Sequence, residues 1–253
     1  MNIGLGVANS KYTSNSQQIR VLTENWVSHE AFCPKCGSTF ESYPNNKPVA
    51  DFFCKKCHED FELKSKANTI GNKINDGAYG TMLKRLNAND NPNFLLLSYD
   101  IGRRVNNFFV VPKYFFIPEI IERRKPLSAS AKRYGWVGCN IVLRGIPESG
   151  KIYYVRDKCV QEKRGVMKNW KKTAFLKASD DIKERSWLLD IMACVDKFGN
   201  RPFDLSEIYG FEKTLATKHP NNKHIKDKIR QQLQILRDKG YLDFIARGIY
   251  KMS

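Results

Sequence analysis

The stretch CPKCGSTFESYPNNKPVADFFCKKCHEDFELK, residues 33–64, decides how the amino-terminal part of this chain folds. It carries two Cys-x-x-Cys pairs, Cys33/Cys36 and Cys54/Cys57, with seventeen residues between them. Two cysteines at this spacing turn both sulfurs to one point, and two such turns complete a tetrahedron. The spacing predicts a four-thiolate zinc site with no open coordination position, a structural site rather than a catalytic one. His58 follows Cys57 directly and is the one alternative ligand.

The same stretch places Asp51 before the second cysteine pair and Glu62 and Lys64 after it. Residues 49–53 and 61–66 read as strands, and the segment between them is short enough for a hairpin connection. On a strand, Glu62 and Lys64 point to one face while Leu63 points to the other, into the core. Asp51 comes from the preceding strand, so the three side chains meet. Two carboxylates and an ammonium at one spot suit metal-dependent phosphodiester hydrolysis. Mg²⁺ takes hard oxygen ligands and keeps several waters. It lowers the pKa of a bound water and offsets charge building on the phosphate. The expected catalytic set is Asp51, Glu62 and Lys64, and the expected Mg²⁺ set is Asp51, Glu62 and Leu63. Glu-x-Lys alone is a weak signal in a lysine-rich chain. Asp181-Ile182-Lys183 has the same form, but no aspartate-bearing strand precedes it, and it reads as a charge pair at a helix start. The alternative for residues 51–64 is a solvated charge cluster on a hairpin.

Outward from this segment, residues 14–28 read as a helix with an apolar stripe of Ile19, Leu22, Trp26 and Val27. Glu24 on that helix is a weaker candidate for positioning the metal site. Residues 42–47 form a turn-rich stretch. Residues 75–87 read as a helix, and residues 93–99 (NFLLLSY) as a buried strand. Further strands are expected at 108–111, 137–143 and 152–155. The basic run 123–133 (RRKPLSASAKR) reads as a loop facing DNA or solvent. Trp136 follows it between Gly135 and Gly138, as a candidate apolar contact for a base or as a core residue.

The composition changes near residues 178–181, which predicts domains at 1–180 and 181–253. Three helices are expected in the second, at 183–197, from a cap at Asp204 to 217, and from a cap at Asn222 to 239. A hairpin over residues 241–252 follows, the order of a winged helix-turn-helix. The third helix has an apolar seam of Ile225, Ile229, Leu233 and Leu236. Lys223, His224, Lys226, Arg230, Gln231 and Gln234 lie on its other faces as candidate DNA contacts. Residues 183–253 hold 14 basic and 9 acidic side chains.

The whole chain of 253 residues carries a net charge of +17, from 43 Lys and Arg against 26 Asp and Glu. That excess favours a polyanionic partner, nucleic acid first. No segment is long and apolar enough to span a bilayer, and the first residues lack the pattern of a secretory signal. A cytoplasmic location with reduced thiols is expected. Cys139, Cys159 and Cys194 have no close partner in sequence and read as buried thiols. No obligatory protein partner is evident, and a monomer is expected.

Pro48-Val49-Ala50-Asp51 with Glu62-Leu63-Lys64 resembles the PD-(D/E)XK nuclease motif, with the proline three residues before the aspartate instead of adjacent. The strings LTENWV, FCPKCG, NNKPVADFFCKKC, FELKSK, INDGAYGTMLKR, NPNFLLLSY, GWVGCNI and HIKDKIRQQLQILRDKG resemble the DpnI-like methyl-directed type II restriction endonucleases. The likeness runs from about residue 11 to the carboxy terminus. It implies an α/β (α+β) PD-(D/E)XK core with a zinc site, followed by a winged-helix domain. It implies Mg²⁺-dependent cleavage of double-stranded DNA at GATC only where the adenine carries an N6-methyl group, with both domains reading the methylated DNA. Under it Asp51, Glu62 and Lys64 are catalytic and Cys33, Cys36, Cys54 and Cys57 bind zinc. Two rivals remain, a zinc-containing winged-helix regulator without catalysis and a PD-(D/E)XK repair nuclease of other specificity.

Overall fold

The computed structural model describes residues 1–7, 14–44, 50–88, 90–178 and 181–253. The chain divides into two compact units, residues 1–144 with 150–171 and residues 145–149 with 172–253. No helix among the described residues is long and apolar enough to cross a membrane.

The first unit contains α1 (Asn15–Glu30), β1 (Glu41–Ser42), β2 (Phe52–Phe53), β3 (Asp60–Ala67), β4 (Lys73–Ala78), α2 (Tyr79–Asn87), β5 (Asn93–Tyr99), β6 (Val105–Val111), β7 (Ile121–Arg123), β8 (Gly138–Val142), β9 (Ile152–Arg156) and β10 (Cys159–Val160). α3 (Lys163–Thr173) follows them. Seven strands form one sheet in the order β1-β2-β3-β5-β6-β9-β10, and β4-β8-β7 form a second, smaller one. β3 and β5 run parallel, with Glu62 opposite Phe94 and Lys64 opposite Leu96. β5 is central and covered on both faces, which is why its sequence is an unbroken apolar run instead of an alternating one. Phe61 and Leu63 turn to the side where Leu22, Trp26 and Val27 of α1 and Trp170 of α3 complete the core. Trp26 meets Phe108 edge-on at 5.1 Å, and its indole N–H donates to the Asn2 carbonyl at 2.7 Å.

Several expected elements shift. Residues 75–78, read as the start of a helix, are the end of β4, and the helix begins at Tyr79. Asn75, Asp76 and Gly77 are poor helix formers. They pair with β8 from far along the chain, Asn75 opposite Asn140 and Asp76 opposite Cys139, before a bulge at Gly77. The strand expected at 49–53 is reduced to Phe52–Phe53. Pro48, Val49 and the turn residues 45–47 lie outside the described residues. α3, a helix that the sequence pattern does not announce, buries Val166 and Trp170. Cys139 and Cys194 are buried as expected, but Cys159 is exposed. It stands on β10, the last strand of its sheet among the described residues.

The second unit contains α4 (Ile182–Val195), β11 (Phe203–Asp204), α5 (Leu205–Tyr209), α6 (Glu212–Lys218), α7 (Ile225–Asp238), β12 (Leu242–Ala246) and β13 (Ile249–Met252). The strands form a sheet in the order β11-β13-β12. Asp181 caps α4, its side chain accepting from the Lys183 N–H at 2.8 Å, which accounts for the Asp-x-Lys string there. Asp204 caps α5 in a full capping box with Glu207. The expected second helix is two short ones, interrupted at Gly210 and Phe211. The cap of α7 is His224; Asn222 stands two residues before it and its side chain accepts from the His224 N–H at 2.7 Å. Ile225, Ile229, Leu233 and Leu236 are buried with Leu188, Ile191, Met192 and Val195 of α4.

Candidate metal centres and nucleic-acid interface

The two cysteine pairs sit on matching turns. Gly37 N–H donates to the Cys33 carbonyl and His58 N–H to the Cys54 carbonyl, both at 2.8 Å. The residue after each pair is left-handed, Gly37 at φ +77° and His58 at φ +57°. His58 therefore holds the backbone position that glycine fills in the first turn, and its ring is exposed. The four sulfurs lie within 4.8 Å of one another, with Cys33–Cys57 and Cys36–Cys54 each at 3.4 Å. Zn–S bonds of about 2.3 Å set tetrahedral edges of roughly 3.8 Å, so the four cysteines fit a metal such as zinc without His58. Burial pushes the Cys33 and Cys57 thiols up. A cation displaces those protons on binding, which makes its retention depend on pH.

Glu59, directly after the second turn, is 6% exposed. Its carboxylate accepts from Lys35 of the first cysteine turn at 2.9 Å and from Asn93 of β5 at 3.2 Å, with Lys113 at 3.8 Å. Burial works to raise its pKa, but these hydrogen bonds and cations outweigh burial and hold it low.

Asp51 extends the β2–β3 pairing, its N–H donating to the Phe61 carbonyl at 2.9 Å. Its side chain turns onto β3, where Oδ2 accepts from the Leu63 N–H at 2.7 Å. Oδ1 lies 4.0 Å from the guanidinium of Arg20, which also pairs with Glu24 at 2.6 Å. Glu24 thus engages Arg20 of its own helix. Glu62 and Lys64 share one face of β3, with Lys64 Nζ 2.5 Å from Glu62 Oε1. The same ammonium is 2.7 Å from Oδ1 of Asp76 on β4, so it bridges the two sheets. Burial raises the Glu62 pKa, with the Asp76 and Asp51 carboxylates adding to it and Lys64 opposing. Burial would lower the Lys64 pKa, but Glu62 and Asp76 outweigh it and the ammonium is held charged. The arrangement offers hard oxygens from Asp51 and Glu62, the donor chemistry a Mg²⁺-class ion takes. The Leu63 side chain packs against the core, which leaves only its main-chain carbonyl for a metal. Beside Lys64 a cleft of about 370 Å³ opens between β3 and β4, lined by Ser65, Lys66, Lys73, Ile74 and Asn75.

Trp136 is half-buried in the β7–β8 loop rather than in the core. Its ring lies over Gly138 and carries the Arg133 guanidinium at 4.6 Å. Lys223 and His224 just before α7, and Lys226, Arg230, Gln231 and Gln234 on it, are all exposed. Some already have partners, Arg230 with Asp227 at 2.7 Å, Lys226 with Glu212 at 3.5 Å and Gln231 with Lys228 at 2.7 Å.

Residues 1–179 match DpnI, the Dam-replacing family, and residues 183–252 match DpnI_C, the Dam-replacing HTH domain. The chain belongs to the Dam-replacing family. It is a DpnI-like member of a restriction-related family, and its carboxy-terminal part is a DNA-binding helix-turn-helix. In this Dam-replacing protein three residues at the candidate sites were missed by the sequence reading, and two of them, Asp76 and Arg20, carried no local signal. Asp76 sits in a segment whose helical periodicity hid a strand. Arg20 reaches Asp51 only through tertiary packing. Glu59 lies beside a cysteine pair, and a carboxylate placed there opposite Lys35 between the other two cysteines is the one pairing that charge complementarity could have found.

Proposed function

We propose that this chain is a type II methyl-directed restriction endonuclease that hydrolyses phosphodiester bonds of double-stranded DNA at adenine-methylated GATC sites, with Mg²⁺. The reading assigns residues 1–180 to a PD-(D/E)XK endonuclease domain and 181–253 to a winged-helix DNA-binding domain. The observation that carries it is the convergence of Asp51, Glu62 and Lys64 across the turn that carries Cys54 and Cys57 of the four-cysteine cluster, in a chain of the Dam-replacing family.

Asp51 and Glu62, with the Leu63 carbonyl, would hold the ion. A bound Mg²⁺ would supply an acidified water and charge stabilisation at the scissile phosphate. Leu63 N–H fixes the Asp51 carboxylate, so its other oxygen is presented without rotamer searching. Lys64, kept charged by Glu62 and Asp76, orients the attacking water or a phosphate oxygen. Water adds to phosphorus as the bond to the leaving oxygen breaks, giving a phosphate monoester and a free hydroxyl. Lys223, Lys226 and Arg230 would hold phosphates, while His224, Gln231 and Gln234 face base edges. Trp136 provides the apolar surface that an N6-methyl group in the major groove requires. The net charge of +17 favours a polyanion and predicts salt-sensitive binding.

Plasmid DNA containing GATC, prepared from adenine-methylating and non-methylating hosts, tests the reading in Mg²⁺ buffer. Cutting of the methylated plasmid alone is expected. Equal cutting of both would reject methyl direction, and cutting of neither would favour the non-catalytic regulator.

A further inference from the structure

The contact between Lys64 and Asp76 links two sheets that share no strand. Lys64 belongs to β3 of the large sheet and Asp76 to β4 of the small one, and the side chain of Asp76 is only 9% exposed. Burying a carboxylate is costly unless it is paired, and here the pairing partner is the ammonium at 2.7 Å. Lysine carries a flexible four-carbon stem, so a single contact with Glu62 leaves its tip free to swing. A second acceptor on the opposite wall fixes the tip between two points. It leaves one of the three ammonium protons for a water or a phosphate oxygen.

The position of Asp76 is set by the strand pair that carries the Trp136 loop. Asp76 stands opposite Cys139, Ala78 opposite Gly138, and a bulge lies between them. Tyr79 N–H donates to the Val137 carbonyl at 3.1 Å, and the Cys139 thiol donates to the Gly77 carbonyl at 3.5 Å. The root of the loop and the second anchor of the lysine are therefore two or three residues apart on one hydrogen-bonded ladder.

We propose that Asp76 is a positioning residue for the cleavage step, holding Lys64 from the β4–β8 strand pair at the place where it meets the reacting water or phosphate. The proposal rests on the nuclease reading above. It assigns Asp76 no contact with DNA, and so separates cleavage rate from DNA affinity.

The test compares the parent with Asp76→Ala, Asp76→Asn and Asp76→Glu. Single-turnover cleavage of adenine-methylated GATC plasmid is measured in Mg²⁺, and affinity for a methylated GATC duplex is measured without divalent metal. Asp76→Ala is expected to slow cleavage by about 100-fold while the Kd stays within about threefold of the parent, the loss typical of a catalytic group displaced by an ångström. Asp76→Asn, of the same size, keeps an acceptor but loses the charge and should fall between. Asp76→Glu should recover much of the rate. Cleavage by Asp76→Ala as fast as the parent would overturn the proposal. So would a loss of rate matched by an equal loss of affinity, or a loss that Asp76→Glu does not relieve at all. A parent that cuts no DNA would instead overturn the nuclease reading itself.

Discussion

The main-chain N–H of Leu63 donates to Oδ2 of Asp51 at 2.7 Å, so the aspartate is pinned to the strand that carries Glu62 and Lys64. One oxygen of the carboxylate is a structural acceptor and the other lies 4.0 Å from the Arg20 guanidinium. Asp51→Ala removes the acceptor from a partly buried amide and should cost about 1 kcal/mol. Asp51→Asn keeps an oxygen for the Leu63 amide and should unfold at the parent's urea midpoint. Equal destabilisation by the two variants would mean the hydrogen bond contributes nothing.

The turn that joins Asp51 to Glu62 depends on a left-handed residue at His58, φ +57°. A non-glycine residue there is strained, and glycine is not. His58→Gly should therefore raise stability by about 0.5–1 kcal/mol, read as a higher Tm, with no change in metal content by elemental analysis. A drop to a lower metal stoichiometry would show that the imidazole is a ligand after all. Stripping the metal with a chelator should lower the Tm by several degrees, since binding free energy at such a site is folding free energy.

Glu59 ties the two cysteine turns to β5 through Lys35 and Asn93. Glu59→Ala removes the carboxylate from Lys35, Lys113 and Asn93 and, since both ammoniums stay partly solvated, should cost about 1.5–2 kcal/mol by denaturant titration. Since the folded pKa of Glu59 is depressed, its contribution is present above the unfolded carboxylate pKa and fades as the pH falls through the folded value. The difference in stability between parent and variant should accordingly shrink in acid. A constant difference down to pH 3 would contradict this.

Asp196, in the second unit, behaves in the opposite sense. Burial pushes its carboxyl up to about 6, against the Glu148 and Ser149 N–H groups that favour the anion. A raised folded pKa means that the group favours the folded state in acid and that this contribution is lost as the pH rises through about 6. Between about pH 4 and pH 6 the unit should lose up to about 3 kcal/mol from this residue. Asp196→Asn, neutral at every pH, should flatten that slope when thermal unfolding is followed from pH 4 to pH 8. An unchanged slope would assign the pH dependence to other groups.

How much of this was readable in advance follows from the range of the interactions. Cys33, Cys36, Cys54 and Cys57 declare themselves because a ligand turn is local, and so does the alternation of Glu62, Leu63 and Lys64 on β3. NFLLLSY on β5 is legible because a central strand buries both faces. Asp76 was hidden because the strand it belongs to exists only through pairing with β8, and its own window carries apolar residues at helical spacing. The Asp51 strand starts later than its apolar pattern suggests, because ladder pairing with β3 covers only Phe52 and Phe53 and Asp51 joins it through one main-chain hydrogen bond to Phe61. In the second unit, Gly210 splits a helix whose periodicity runs straight through it.

The most direct test of the central claim is cleavage of adenine-methylated GATC plasmid by Asp51→Asn beside the parent, with binding of a methylated duplex measured in parallel. The account predicts that the variant folds, binds the duplex as the parent does, and cuts at least about a thousandfold more slowly, because it has lost the charged oxygen facing the site. A variant that still cuts at the parent's rate would contradict the placement of the catalytic centre at Asp51, Glu62 and Lys64, beside the Cys54/Cys57 turn.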